Sequence, residues 1–213
     1  MTIRDAYSHW STNYDTDRNL TRDLDQEITR QALAHLQPAT ILELGCGTGK
    51  NTPFLAQLGG HVLALDFSEG MLAQARAKLH AAHNVTFAMA DLTQPLPAAT
   101  SAIDLVICNL VLEHLQDLRP IFAEAWRVLT KGGQFYLSEL HPFKQYQGKQ
   151  AVFQHGAEQV AVTAFIHHTS DFVQAALDVG FGIQELGEYW HEEDRAQAKP
   201  PRLLTLRLGK ISP

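Results

Sequence analysis

Apolar positions along the chain switch repeatedly between two periods, and the switches divide it into helices and strands. Leu24, Ile28, Ala32 and Leu36, four residues apart, predict an amphipathic helix from Thr21 to Leu36, closed by Pro38. Thr40 to Leu44 is a short β-capable run, followed by a glycine turn and a helix from Asn51 to Leu58 with Pro53 in its first turn. His61 to Asp66 predicts a buried strand, Ser68 to Ala82 a helix with Ser68 as N-cap, and NVTFAMAD a third strand ending at Asp91. A Pro-containing loop leads to a fourth strand, residues 103 to 109. A helix from Ile121 to Leu129 stops at Lys131, Gly132 and Gly133, and a fifth strand starts at Gln134. Strands that are apolar throughout and alternate with helices predict an α/β fold, a parallel sheet covered on both faces.

The pattern changes in the last third. Residues 141 to 168 show no strong period and contain Pro142, Gly148, Gly156 and several histidines, which marks an insertion. Ser170 to Val179 is a helix ended by Gly180, GFGIQELGEYW a sixth strand, HEEDRAQAKPP a polar loop, and residues 202 to 208 a further strand. Two strands joined without a helix between them are antiparallel neighbours, so the sheet ends in an antiparallel hairpin. At the amino end, Tyr7, Trp10 and Tyr14 make the first segment too aromatic for a solvated tail. These rings either cover the core or form a lid over a ligand.

Length and composition fit one domain of a soluble globular protein, with 213 residues, 45% hydrophobic and 19% charged. No run approaches the roughly 18 apolar residues of a membrane span, and MTIRDAYSHW does not read as a secretory signal, so a cytoplasmic protein is expected. Cys46 and Cys108 lie in apolar runs, as buried reduced thiols do. The formal net charge of -6 argues against nucleic-acid binding through a basic field, and the 11 scattered histidines show no metal-binding spacing.

The chemistry is concentrated in ILELGCGTG, residues 41 to 49, with glycines at 45, 47 and 49. A phosphate-binding P-loop fails, because Gly49-Lys50 is followed by Asn51 and Leu44 stands where the first glycine belongs. A dinucleotide turn needs GxGxxG, and Lys50 occupies the place of its third glycine. The turn still exposes backbone N–H groups, and Glu43 suits a cationic group such as a ligand ammonium. Asp66, ending the second strand, is at the separation from which an acid reaches a ribose diol; Phe67 suits an adenine face and Asp91 an adenine amino group. With Asn109 after the fourth strand, four polar residues line one sheet edge, although each alone reads as a turn former.

These residues resemble the class I S-adenosylmethionine-dependent methyltransferases, in particular the small-molecule group of ubiquinone and menaquinone biosynthesis. ILELGCGTG, LALDFSEGML, MADLTQPLP, IDLVICNLVLEHL and WRVLTKGGQFYLSEL resemble five motifs of that family in order, over roughly residues 38 to 140. The resemblance implies a Rossmann-like, doubly wound seven-stranded sheet, mostly parallel with the last strand antiparallel. It implies that Glu43, Gly45, Cys46, Gly47 and Gly49 hold the methionine part and Asp66 the ribose. Phe67 and Met71 take the adenine face, Asp91 and Leu92 its edge, and Asn109 the methionine side; Tyr14 joins these cofactor contacts. The division expected is a helical lid (1–37), a cofactor core (38–140), a substrate-side insertion (141–168) and a helix with a strand hairpin (169–213).

Methyl transfer from a sulfonium is an in-line displacement, for which the protein mostly aligns donor and acceptor. A base is needed only where the acceptor loses a proton, and His114, Glu139, His141 and His168 are the candidates. The acceptor is expected to be a small molecule chosen by residues 1 to 20, 141 to 168 and 190 to 200, with the chain a monomer or homodimer. A non-catalytic scaffold of the same fold, or a nicotinamide-dependent oxidoreductase, is the alternative.

Overall fold

The computed structural model describes residues 2–155 and 158–211; Gly156, read above as a breaker in the insertion, lies outside the described residues. Helices α1 (Ile3–Trp10) and α2 (Leu20–Leu33) precede strand β1 (Thr40–Leu44), α3 (Thr52–Gln57), β2 (His61–Asp66), α4 (Glu69–Lys78), β3 (Val85–Met89) and β4 (Ile103–Asn109). Then come α5 (Arg119–Val128), β5 (Leu129–Leu140), α6 (Pro142–Tyr146), β6 (Val152–His155), β7 (Glu158–Ala161), α7 (Thr169–Asp178), β8 (Gly182–Tyr189), α8 (Glu192–Ala196) and β9 (Leu203–Gly209). The main sheet has seven strands in the order β3-β2-β1-β4-β5-β9-β8. β1 to β5 pair in parallel, and β9 runs antiparallel to both β5 and β8. The hairpin inferred from the missing helix is therefore present, with its second strand inserted between β5 and β8.

Both faces of the sheet are covered, because the central strands are mostly apolar. Leu42, Leu44, Val106, Cys108, Phe135 and Leu137 face one way and pack with Phe122 and Ala125 of α5 and Phe172 and Ala176 of α7. The alternate residues Ile41, Leu105, Ile107 and Tyr136 face the other way, against Leu33 of α2, Leu55 of α3 and Leu72 of α4. Cys46 and Cys108 are buried free thiols, and burial pushes both pKa values well up. Among the described residues no helix is long and apolar enough to cross a membrane.

Three local readings change. The glycines at 132 and 133 do not separate α5 from β5. Leu129 already pairs with Ile103, and a register break then lets Gly132, at φ +78°, bulge before Gln134 pairs with Leu105. The polar loop after β8 contains α8, capped by the His191 side chain and carrying three acids in its first turn. The insertion holds α6 and the antiparallel pair β6 and β7.

Candidate functional site

Strand order reverses between β1 and β4, and in open α/β sheets ligands bind beyond the carboxyl ends of the strands at such a reversal. The glycine turn leaves β1 there with Gly45, Gly47 and Gly49 all at positive φ. Gly45 is required by contact as well, since a Cβ on it would stand 2.3 Å from Val111 Cγ2. A Cβ on Gly49 would meet Leu79 and Ala75, so this glycine lets the turn approach α4 and lies outside the cavities. The close packing expected of a later glycine is achieved one residue early.

A cavity of about 530 Å³ opens at this edge, lined by Gly45, Gly47, Asp66, Phe67, Met71, Asp91, Leu92, Asn109, Tyr14 and His114, and walled on its outer side by Thr2 to Asp5 and Tyr7. Asp66 is fixed within it. One carboxylate oxygen accepts the Gly47 N–H at 2.9 Å and the other the Ser68 N–H at 2.8 Å. Burial raises its pKa against those two N–H groups. Each oxygen keeps a second lone pair for a ligand hydroxyl. Asp91 is exposed, and the Thr93 N–H and hydroxyl hold its carboxyl below the usual range.

A second, small cavity of about 50 Å³ lies behind the glycine turn, lined among others by Arg22, Asp25, Glu43, Cys46, Asn51 and Asn109. Glu43 accepts the Thr52 hydroxyl at 2.7 Å, and burial pushes its pKa up to about 8. Asp25 accepts the side-chain amides of Asn109 at 2.6 Å and Asn51 at 3.1 Å, and burial raises its pKa also. Arg22 lies over the Tyr14 ring at 4.0 Å and donates to the carbonyls of Tyr14 and Asp17. Arg22 Nε and Asn51 Oδ1 are buried with no hydrogen-bond partner among the described residues. An unpaired donor and an unpaired acceptor beside two buried carboxylates complement the carboxylate and ammonium of an α-amino acid.

A third cavity, about 620 Å³, lies between the amino-terminal segment, α6 and α8. Tyr14 and Leu110 line all three cavities. Leu110 is held at φ +57°, which costs about 1–3 kcal/mol for a residue with a side chain. Its N–H donates to the Ser138 carbonyl, and Glu139 accepts the next two N–H groups, of Val111 and Leu112, at 3.0 and 2.9 Å. Burial pushes the Glu139 pKa up to about 8.

Within this geometry, residues 42–137 match the family model described as a methyltransferase domain. That domain match, with the relatives and solved structures that follow, supports a class I S-adenosylmethionine-dependent methyltransferase. It is 38% identical over 111 residues to demethylmenaquinone methyltransferase of Clavibacter sepedonicus, covering 52% of this chain and 45% of that protein. It is 34% identical over 139 residues to a malonyl-[acyl-carrier protein] O-methyltransferase of Serratia marcescens, covering 65% of this chain and 52% of the relative. The chain thus spans about half the length of these two curated relatives. The structure of phosphoethanolamine N-methyltransferase 1 of Haemonchus contortus, in complex with phosphoethanolamine and S-adenosylhomocysteine, superposes with a TM-score of 0.75 at 18% identity. That match covers 99% of this chain and 49% of the other.

The methyltransferase fold separates the four candidate bases. His114 lines the first cavity; its Nδ1 lies 2.7 Å from the Thr163 carbonyl and so carries the proton, and its Nε2 accepts the Tyr7 hydroxyl at 2.7 Å. The other three lie outside all three cavities. Glu139 is committed to the turn after β4. His141 caps α6, accepting the Phe143 N–H on Nδ1 and donating from Nε2 to Glu188 at 2.9 Å. His168 is exposed at the start of α7, with its ring against the Tyr146 hydroxyl at 2.6 Å. The contacts of these three in this structure are with the scaffold. Arg22, Asp25 and Asn51 were not anticipated. Positions 22, 25 and 29, three and four apart, put buried Arg22, Asp25 and Thr29 on one face of α2, a polar stripe legible in its spacing.

Proposed function

We propose that this methyltransferase binds S-adenosylmethionine across the first and second cavities and methylates a small-molecule acceptor. The observation that carries the reading is the meeting of three cavities at Tyr14 and Leu110. The first offers Asp66 to a ribose and an apolar slot of Phe67, Met71 and Leu92 to an adenine; the second offers Arg22 and Asn51 beside Asp25 and Glu43 to an amino-acid end. Bound there, S-adenosylmethionine would supply a sulfonium-activated methyl group for in-line attack by an acceptor lone pair, with S-adenosylhomocysteine as the leaving group. The chain's part is alignment and exclusion of water. α1 and the segment to Tyr14 close the outer side as a lid, and their rings also make a core of their own, Trp10 stacking on Phe153 at 5.7 Å. Where the acceptor loses a proton, Tyr7 and His114 are placed to receive it, His114 Nε2 being the acceptor nitrogen.

Calorimetric titration with S-adenosylmethionine and with NAD, followed by tritiated-methyl transfer to phenols, amines, thiols and acids, tests this reading. Binding of S-adenosylmethionine with methyl transfer is expected. Binding of NAD alone, or cofactor binding with no acceptor methylated across a broad panel, would overturn it in favour of an oxidoreductase or a scaffold respectively.

A further inference from the structure

The third cavity differs from the other two in charge. Six cations line it (Arg18, Arg22, Lys144, Lys149, Lys199 and Arg202) against two carboxylates, Glu113 and Asp194. This runs against the chain as a whole, whose formal charge is -6. Asp194 is shared, accepting from Arg202 at 2.5 and 2.9 Å and from Lys144 at 3.4 Å, so the three together retain a positive charge. Lys144 is the telling residue. Its side chain is 9% exposed, and among the described residues that long contact is its only hydrogen bond from an ammonium with three donors. Burying a cation with donors unused is costly unless something fills them. Lys149 and Lys199 have no ion-pair partner among the described residues. Tyr7, Trp10, Tyr14 and Leu110 give it an apolar wall as well.

Resting on the methyl-transfer reading above, we propose that the third cavity is the acceptor site and that it takes a small molecule bearing a carboxylate or phosphate anion. Tyr7, Tyr14 and Leu110, shared with the first cavity, put its inner end next to the cofactor cavities, while the lysines surround the rest. The anion is thus the handle that orients the acceptor, and the apolar wall holds its body. Arg202 also donates to Thr21 at 3.2 Å, tying α2 to the residue before β9, so Lys149 and Lys199, both exposed, are the cations whose loss leaves the fold untouched.

The test is calorimetric titration of the chain saturated with S-adenosylhomocysteine, using inorganic phosphate in one arm and glutarate in the other, with glutaramide as the neutral counterpart. Saturable binding in at least one anion arm is expected, and the arm that binds identifies the handle. That binding should weaken about tenfold in Lys149→Gln/Lys199→Gln, with S-adenosylhomocysteine affinity unchanged. Lys144→Met should weaken it as well; because Lys144 is buried and that variant risks misfolding, the surface double variant decides. Absence of binding in both arms, glutaramide binding as tightly as glutarate, or an unaltered double variant would each overturn the anionic acceptor while leaving the cofactor reading intact. Failure of S-adenosylhomocysteine to bind would remove both.

Discussion

Arg22 combines a buried guanidinium, a stacking contact on Tyr14 and one N–H without a partner among the described residues, and it lines the small cavity of about 50 Å³. Arg22→Leu is expected to weaken S-adenosylhomocysteine by about 1–3 kcal/mol, the range for a hydrogen bond to a charged group. Binding of 5′-methylthioadenosine, which lacks the amino-acid part, should stay within about twofold on the same principle. Equal losses for the two ligands would assign Arg22 to the fold alone. Tyr7 and His114 are separable from cofactor binding in the same manner. Tyr7→Phe removes the proton that His114 Nε2 accepts, so turnover of an acceptor that must lose a proton is expected to fall by about 10²-fold or more, with cofactor affinity retained. An unchanged rate would leave the pair as wall.

At the scale of elements, the turn after β4 is held by Glu139 of β5, and burial sets the pH behaviour of that joint. With its pKa pushed up to about 8, the folded chain keeps a proton that the unfolded chain releases above the ordinary carboxylate value of 4.5. This contribution to stability is full below about pH 4.5 and is lost as pH rises through about 8, at a slope of up to about 1.4 kcal/mol per pH unit. Glu43 titrates in the same direction over the same window. Chemical denaturation midpoints should therefore fall across that window, and Glu139→Gln, which keeps a carbonyl for the two N–H groups, should reduce the slope. A wild-type midpoint independent of pH would contradict the burial effect. On the opposite face, Phe122 of α5 is fully buried against Phe135, with ring centroids 5.4 Å apart. Phe122→Ala is expected to cost about 3–5 kcal/mol in equilibrium unfolding, and a loss under about 1 kcal/mol would mean the α5 packing is not what holds that face.

Across the whole molecule, what was legible in the sequence is what depends on neighbours in the chain. β1, β2 and β4 begin and end where their apolar runs do, and Gly45, Asp66 and Asn109 follow from being the residues at strand ends, which a parallel sheet brings to one edge. The insertion of β9 between β5 and β8 was not legible, because that pairing joins residues distant in the chain. Side-chain direction was the second gap. His141 and His168 occupy the right region of the chain, but capping and the Tyr146 contact turn their rings to the scaffold. Arg22 and Asp25 belong to a helix read only by its apolar stripe, and they reach the glycine turn solely through tertiary packing. The cationic cavity has the same origin, since its lysines and arginines come from the amino-terminal segment, α6 and the α8 region.

Cofactor recognition through the fixed carboxylate of Asp66 is the claim on which the rest depends. The most direct measurement is calorimetric titration of S-adenosylhomocysteine into the wild-type chain and Asp66→Ala. One-site binding that weakens by about 1–3 kcal/mol in the variant is the predicted result. No binding to the wild type, or the same affinity in both chains, would contradict it.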